Sequence, residues 1–264
     1  MKKLLFLIPM MSLLLGFTGC AKQDSTEAQG EGVVNFKIEN DYQISIASAA
    51  AFRAVTAAPA DYNVVLTNTT TSAVAYTGTY GAMAKSMVLA AANYNIKAEN
   101  ITSDVAQTAT AGRGQLRLAG SQDFVLATGQ TKSVAMVCNV SNIKVNVAYA
   151  ASFMAVFSGC TVSVVETSQP GRALAYDFAA THATQDGFFN VPTAATSLTV
   201  TITPTRKSDG KVLPPVVKTI TGVTAAQWHK LTFTAASTGQ GSFDITVDDT
   251  ITSVENSFEV DPFA

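Results

Sequence analysis

Short runs in which apolar and polar residues alternate recur along the chain from Val33 onward. The clearest runs lie at 33–38, 62–66, 94–98, 143–149, 161–165, 198–202, 230–233 and 243–247. Alternation over about four to eight residues, rich in β-branched and aromatic side chains, is typical of strands with one buried face. Helical periodicity is scarce. The Ala-rich stretch 47–60 has room for a turn or two of helix, but Pro59 favours a loop or crossing segment there. The pattern predicts an all-β fold.

The two halves of this β-rich body resemble each other. Residues 62–80 (YNVVLTNTTTSAVAYTGTY) and 160–178 (CTVSVVETSQPGRALAYDF) each contain a strand-like run, a polar turn and a second run with a central Ala-Tyr pair. Similar segments follow in the same order in both halves. The repetition predicts two tandem β-sandwich domains, 33–137 and 138–264. The alternative is one continuous sandwich of roughly 230 residues.

The first twenty residues have the organisation of a secretion signal. Lys2 and Lys3 precede an apolar run at 4–15, and small residues lead to Cys20. The run is too short to span a hydrocarbon core of about 30 Å comfortably. Gly16-Phe17-Thr18-Gly19 before Cys20 resembles a bacterial lipobox, in which the leader is removed and the Cys carries lipid. We therefore predict a signal peptide at 1–19 and a lipidated Cys20 with a flexible tether at 20–32. The alternative is an ordinary secreted protein in which Cys20 has no such role.

Composition narrows the class of protein. Charged residues make up 14% of the 264 residues, hydrophobic residues 47%, and the formal net charge is −2. A hydrophobic content this high argues against a disordered chain, and the absence of a basic excess argues against nucleic-acid binding. The expected partners are a membrane, which the lipid on Cys20 would enter, and other proteins or glycans.

The sequence contains no recognisable catalytic motif. Gly-x-Ser-x-Gly and His-Glu-x-x-His are absent, and Gly112-Arg113-Gly114 lacks the third glycine of a phosphate-binding loop. His182 and His229 are isolated and are expected to be structural or surface residues. We predict no catalytic residue, no cofactor and no metal. A hydrolase with paired carboxylates is the remaining enzymatic alternative.

Several residues allow two interpretations. Asp244, Asp248 and Asp249 form either a polar turn at a strand end or a set of oxygen ligands for Ca²⁺. Cys138 and Cys160 are either a disulfide or two buried thiols, since a secreted compartment permits both. Trp228, the single Trp, either packs in the second core or stacks on a sugar.

Six stretches carry a resemblance to a known family. Together they cover most of 32–260: GVVNFKI (32–38), YNVVLTN (62–68), LAAANYNIKAE (89–99), FVLATGQTKSVAMVCNVSNIKVNVAY (124–149), ITGV with WHKLTF (220–233) and ITVDDTITSVENSFEV (245–260). The chain is similar to the fimbrillin-like lipoproteins of Bacteroidales. It departs from the family at Ala92, where Gly is usual, and at 227–229, where a shorter aromatic pair is usual. The resemblance implies tandem transthyretin-like, Greek-key β-sandwiches on the outer membrane.

The resemblance also implies sites of processing and modification. In fimbrillins a trypsin-like protease cuts after an Arg that follows the first strands, and a strand of the next subunit fills the groove left behind. Arg53-Ala54 is the matching position, 33–38 and 43–47 are the removable strands, and 256–261 is the strand to donate. Asp24-Ser25-Thr26 and Asp249-Thr250-Ile251 resemble the O-glycosylation pattern of that phylum, so Ser25 and Thr250 are candidate acceptors. Asp24 and Glu27 resemble the early acidic residues that direct lipoproteins to the cell surface.

Two functional hypotheses follow. The first is a non-enzymatic, lipid-anchored surface protein with a structural or adhesive role, either as a pilus subunit or as an accessory that partners with other fimbrial subunits. The second is a surface module of a nutrient-uptake system that binds a glycan or a protein, including a host ligand. An aromatic platform around Trp228 or Tyr80 would favour the second.

Overall fold

The computed structural model describes residues 30–40, 58–178, 180, 183–235 and 253–260, and it confirms the all-β fold. The strands of this part of the chain are β1 Glu31–Asn40, β2 Asn63–Asn68, β3 Val74–Thr79, β4 Ser86–Ala90, β5 Ala92–Glu99, β6 Leu118–Leu126, β7 Thr131–Val140, β8 Asn142–Tyr149, β9 Phe157–Glu166, β10 Ala173–Ala175, β11 Gly187–Asn190, β12 Thr196–Arg206, β13 Val216–Val223, β14 Trp228–Ala235 and β15 Ser253–Val260. Two short helices, α1 Ser103–Thr108 and α2 Ala151–Val156, interrupt them. Of the Ala-rich stretch 47–60 only the end is described, where Pro59–Asp61 forms a single 3₁₀ turn.

Strands β1 to β7, the first unit, form one sheet that folds over on itself. The strand order is β3-β2-β5-β6-β7-β1-β4. Leu66 and Ile96 from one half of the sheet and Phe36 and Val134 from the other half belong to one hydrophobic cluster. The two halves therefore face each other as a sandwich, and the sheet turns the corner between β6 and β7. Alternate residues of β2 and β7 are buried, as the sequence pattern predicts.

Strands β8 to β15, the second unit, form two four-stranded sheets. Their orders are β10-β9-β12-β13 and β11-β8-β14-β15. Val162 and Val200 of the first sheet and Val147, Leu231 and Phe233 of the second belong to a separate hydrophobic cluster. This unit too is a sandwich with its own core.

The two units repeat the same pairing scheme. In each one the first strand runs parallel to the seventh and antiparallel to the fourth, as β1 does with β7 and β4 and as β8 does with β14 and β11. The second strand pairs with the third and the fifth, and the fifth pairs with the sixth, in both units. The strand sets meet at Ser141, because β7 continues to Val140 and Cys138 belongs to the first cluster. The division into domains at 137/138 stays a prediction.

The units differ in the strand that pairs with the seventh strand on the side away from the first strand. In the first unit β6 stays beside β7 and pairs with it at Leu118↔Val140 and Ala119↔Asn139. In the second unit β14 is the counterpart of β7, and on the same side it pairs in parallel with β15. Each sandwich is thus closed on this side in its own way, by a hairpin in the first and by an added strand in the second.

Gly120 allows β6 to approach β7, because a Cβ at this position would collide with the carbonyl oxygen of Val137. Gly120→Ala is expected to lower the free energy of unfolding by about 1–3 kcal/mol, since the clash is with a backbone oxygen and not with the end of a flexible side chain. Equilibrium unfolding in urea measures the change.

Gly159→Ala is the matched control. Gly159 also lies in a strand, but no atom comes within 4 Å of the position its Cβ would take. We expect this substitution to be near neutral. An equal loss of stability in both variants would contradict the role given to Gly120.

Candidate functional site

The strand that the sequence marks as removable, β1, fills a groove in the first unit. It lies between β7 on one side and β4 on the other. Its side chains Val34, Phe36 and Ile38 are buried, and the ring of Phe36 meets that of Phe124 edge to face at 6.1 Å between centroids. Removal of β1 would therefore expose two strand edges and the apolar floor that these side chains cover.

Tyr80 ties β1 down where its pairing with β4 ends. The Tyr80 hydroxyl donates to the carbonyl oxygen of Phe36 at 3.1 Å and accepts from the Ile38 N–H at 3.2 Å. The Phe36 N–H donates to the carbonyl oxygen of Lys85 at 2.9 Å. The Lys85 ammonium lies over the Tyr80 ring, 3.2 Å from its centroid. These contacts supply partners for the backbone of β1 beyond its last pair with β4.

The strand marked as the donor is present as β15. It pairs in parallel with β14 from Trp228↔Ser253 to Ala235↔Val260. It thus runs beside a strand of the second unit in the same sense as β1 runs beside β7 in the first. The second segment that the sequence predicts to be removable, 43–47, lies outside the described residues.

Arg113 joins the two units. It lies between α1 and β6 and is 7% exposed. Its guanidinium donates to three carbonyl oxygens of the second unit, from Nε to Asp186 at 3.0 Å, from Nη1 to Ala175 at 2.9 Å and from Nη2 to Gln185 at 2.9 Å. Its Cζ lies 4.3 Å from the centre of the Tyr176 ring. A buried guanidinium requires such partners, and here they all come from one face of the other unit.

The segment that carries Arg113 is wound unusually tightly. Thr110 and Ala111 have φ values of 55° and 53°, and Gly112 and Gly114 have φ values of 84° and 82°. Non-glycine residues reach this left-handed region at a cost, and the contacts with the second unit compensate for it. The Phe188 N–H, for example, donates to the carbonyl oxygen of Arg113 at 2.7 Å.

Two side chains of the second unit complete the junction by binding α1 and the turn after it. Arg172 donates through Nη2 to the carbonyl oxygens of Gln107 at 3.0 Å and Gly112 at 2.9 Å. Asn190 donates through Nδ2 to the carbonyl oxygen and the hydroxyl of Ser103, both at 2.8 Å. The first unit is therefore fixed to the second by side chains from both.

Two shallow clefts lie near this junction. One, of about 510 Å³, is lined by polar and charged side chains on the outer face of β2, β5 and β6: Asn63, Lys97, Glu99, Arg117 and Ser121, with Val65. Glu99 and Arg117 form an ion pair there at 2.6 Å. The other, of about 400 Å³, lies between the Arg113 segment and β10. Neither has an aromatic side chain among its lining residues.

The two cysteines outside the leader are separate, buried free thiols. Cys138 lies within β7 in the first cluster, and Cys160 lies within β9 in the second cluster. The interpretation as buried thiols is confirmed, and the disulfide is wrong because the two cores hold the side chains apart. Burial raises the pKa of both thiols to about 11, so they are protonated and unreactive at neutral pH.

Trp228 is buried, as expected, but it packs among charges. It is 8% exposed, and the Lys144 and Lys230 ammonium groups lie 4.3 Å and 4.2 Å from its ring. Its Nε1 donates to the Asn146 Oδ1 at 3.2 Å. Lys144 is itself paired with the carboxylate of Asp186 at 2.7 Å, while burial lowers the pKa of its ammonium. The covered ring offers no surface on which a sugar could stack.

His229 is a structural residue. It is 1% exposed, and its Nε2 lies 3.1 Å from the Gln227 Oε1. Burial lowers the pKa of His229 to about 4, so the imidazole is neutral at physiological pH. In the described part of the chain no three His, Cys, Asp or Glu residues gather as metal ligands.

Most of the sequence-predicted sites lie outside the described residues. These are the lipidation site Cys20, the processing site Arg53-Ala54, the candidate O-glycosylation sites Ser25 and Thr250, His182 and the group Asp244, Asp248 and Asp249. They stay predictions. No helix within the described ranges is both long and apolar enough to cross a membrane.

Sequence reasoning missed the role of Arg113. It considered Gly112-Arg113-Gly114 only as an incomplete phosphate-binding loop, whereas the two glycines serve the left-handed backbone and the Arg binds the second unit. A glycine on either side of a single Arg is a weak local signal, because the partner carbonyl oxygens lie about 60–70 residues later in the chain.

A family model described as a domain of unknown function, DUF4493, matches residues 30–262. No curated protein matches the chain. Among solved structures, the fold is similar to a candidate adhesin from Bacteroides ovatus at 8% identity, covering 78% of this chain and 88% of that chain with a TM-score of 0.39. It is similar to a candidate polysaccharide-binding protein from Bacteroides thetaiotaomicron at 11% identity, with coverages of 71% and 80% and a TM-score of 0.39. It is also similar to the fimbrial anchor protein Mfa2 from Porphyromonas gingivalis at 12% identity, with coverages of 70% and 81% and a TM-score of 0.33.

Replacement of Arg113 tests the junction. Arg113→Ala is expected to lower the free energy of unfolding by about 2–4 kcal/mol, because three carbonyl oxygens at the junction lose the donors of a buried guanidinium. Equilibrium unfolding in urea measures the loss. Arg206→Ala is the control, since the Arg206 guanidinium pairs with the exposed carboxylate of Asp209, and a much smaller loss is expected there. Equal losses would show that Arg113 does not stabilise the junction.

Proposed function

The chain belongs to the DUF4493 family, and from this premise we propose that it is a fimbrillin-like lipoprotein of the outer membrane with a structural or adhesive role. A lipid on Cys20 would hold the protein at the membrane, and the tether at 20–32 would carry the β units away from the bilayer. Two or three acyl chains anchor a protein firmly, because each buried CH₂ contributes about 0.8 kcal/mol. The leader with its lipobox-like end supports this part of the proposal.

The observation that carries the assembly part of the proposal is the position of β1. This strand is inserted between β4 and β7, and the segment that links it to the rest of the chain, 41–57, contains Arg53. A cut after Arg53 would leave β1 held only by strand pairing and packing. Its loss would open a groove with unpaired N–H and C=O groups on both sides, which is the kind of edge that recruits a strand from another chain.

The sequence of β15 matches that of β1 as a replacement. The run SFEV at 257–260 repeats the polar and apolar order of NFKI at 35–38, with Phe258 in place of Phe36 and Val260 in place of Ile38, whereas polar Asn256 stands where β1 has Val34. Both strands also run parallel to their neighbour, β15 to β14 and β1 to β7. A second copy, or another fimbrial subunit with such a strand, is the partner that this groove fits.

A glycan-binding role has no comparable support. The two aromatic side chains proposed to bind a sugar already contact other groups. Lysine side chains cover Trp228, and the Tyr80 hydroxyl forms a hydrogen bond with the backbone of β1. We therefore put forward no second function.

The anchor is tested by the fate of Cys20. Cells that produce the full chain are expected to incorporate labelled palmitate into it and to hold it in the outer-membrane fraction. Cys20→Ser is expected to lose the label and the membrane association, because the thiol that carries the lipid is gone. Ser25→Ala, in the same tether, is the control and should keep both. A wild-type chain without label would refute the lipoprotein assignment.

Assembly is tested by controlled cleavage. An Arg-specific protease acting on the chain from Ala21 is expected to produce a fragment that begins at Ala54 and forms ladders that resist SDS. Arg53→Lys should prevent both, because the protease does not cut after Lys. The other arginines, at 113, 117, 172 and 206, are unchanged in both proteins and report on cleavage elsewhere. A fragment that begins at Ala54 and stays monomeric would exclude strand exchange while leaving the anchored surface role intact.

A further inference from the structure

We propose that the protein is built to bear tension, because each unit places its first strand beside its seventh strand in parallel and thereby turns a pull along the chain into shear. The inference rests on the anchoring part of the proposed function and concerns the chain that is not cut after Arg53, in which the lipid at Cys20 supplies the fixed end. It describes how the fold transmits force between that fixed end and a load on the second unit.

The path of force through the first unit follows from its topology. The anchor pulls on Gly30, at the start of β1, and the second unit pulls on Val140, at the end of β7, since β8 begins at Asn142. The two strands are parallel and in register from Val33↔Thr131 to Asn40↔Cys138. The two points of attachment therefore lie at opposite ends of the same strand pair.

This geometry loads the whole pair at once. When a pull acts along the strands from opposite ends, every inter-strand hydrogen bond shares the force, and none can break before its neighbours are strained. A pull applied at the same end of both strands instead opens the bonds one after another. In the sheared pair, a hydrogen bond to water can replace an inter-strand hydrogen bond only after the strand has slid. The barrier to sliding therefore includes the loss of many inter-strand hydrogen bonds at once.

Sliding of β1 disturbs more than its pairing with β7. On the other side β1 pairs with β4 from Glu31↔Ala90 to Asn35↔Ser86, so these bonds are sheared as well. Phe36 and Ile38 project into the close-packed core and must leave their places as the strand moves. Tyr80 bonds two backbone groups of the same strand. All of these contacts oppose the same displacement.

The second unit repeats the arrangement. β8, which receives the force at its start, is parallel to β14 from Lys144↔Trp228 to Tyr149↔Phe233. β15 is parallel to β14 in turn, from Trp228↔Ser253 to Ala235↔Val260. A pull between the start of β8 and the end of either β14 or β15 is therefore also a shear. The chain places two such arrangements in series.

Force spectroscopy on single molecules tests this directly. The chain from Gly30 is held by its N-terminus and by a second handle attached either through Asn139→Cys, at the end of β7, or through Thr128→Cys, just before its start. Both positions are exposed, whereas the native Cys138 and Cys160 are buried. A Cβ on Gly30 would touch Thr128, so the N-terminal handle and the Thr128 handle act at the same end of the pair.

At equal loading rate, the Asn139 handle is expected to require a rupture force several-fold higher than the Thr128 handle, although the same hydrogen bonds break in both cases. Each Cys variant is first unfolded in urea, and an unchanged midpoint shows that the substitution leaves the fold intact. Equal rupture forces would overturn the inference. The measurement uses a chain without the leader and without cleavage at Arg53, so its outcome is independent of the tests of anchoring and assembly.

Discussion

The parallel pairing of the first strand of each unit with the seventh is the contact on which both sandwiches depend. In the first unit it joins residues about 100 positions apart, Val33 with Thr131, and places Val34 and Phe36 in the core between the two halves of the folded sheet. Without β1, β4 would lose its neighbour in the sheet, and the places of Val34 and Phe36 in the cluster would be empty. The same strand is the one whose removal the proposed assembly requires, so closure of the core and recruitment of a partner compete for one groove.

Local pattern predicted the strands well, because a period of two is written in neighbouring residues. The runs at 33–38, 62–66 and 143–149 all became strands, and the resemblance between 62–80 and 160–178 corresponds to equivalent strand pairs in the two units. Which strands pair in parallel is a property of contacts far apart in sequence, and no local signal reports it. The pairing of β15 with β14 belongs to this class, as does the join at Ser141, which lies beyond the boundary that the repetition of the two halves predicted.

Side-chain roles likewise divide into those that neighbouring residues predict and those that distant segments determine. Isolation in the sequence predicted a structural or surface role for His229, whereas the sequence left Cys138 and Cys160 open between a disulfide and two thiols. Arg113 and Trp228 were harder, because their surroundings come from distant segments: carbonyl oxygens of 175–186 for the Arg, and Lys144 for the Trp. A positive charge is stable in such a place only when several acceptors converge on it, and convergence of this kind appears first in the folded chain. The resemblance to fimbrillins supplied Arg53, and the lipobox-like leader supplied Cys20; the described residues leave both untested.

The added strand β15 also fixes the order in which the protein can be completed. Every strand of the first unit has left the ribosome once Val140 has emerged, whereas the second unit waits for Val260, the last residue of β15. The first unit can therefore fold completely while β14 still lacks its partner β15. During that interval a chaperone or a neighbouring molecule can bind the growing chain beside β14, at the place that β15 later fills.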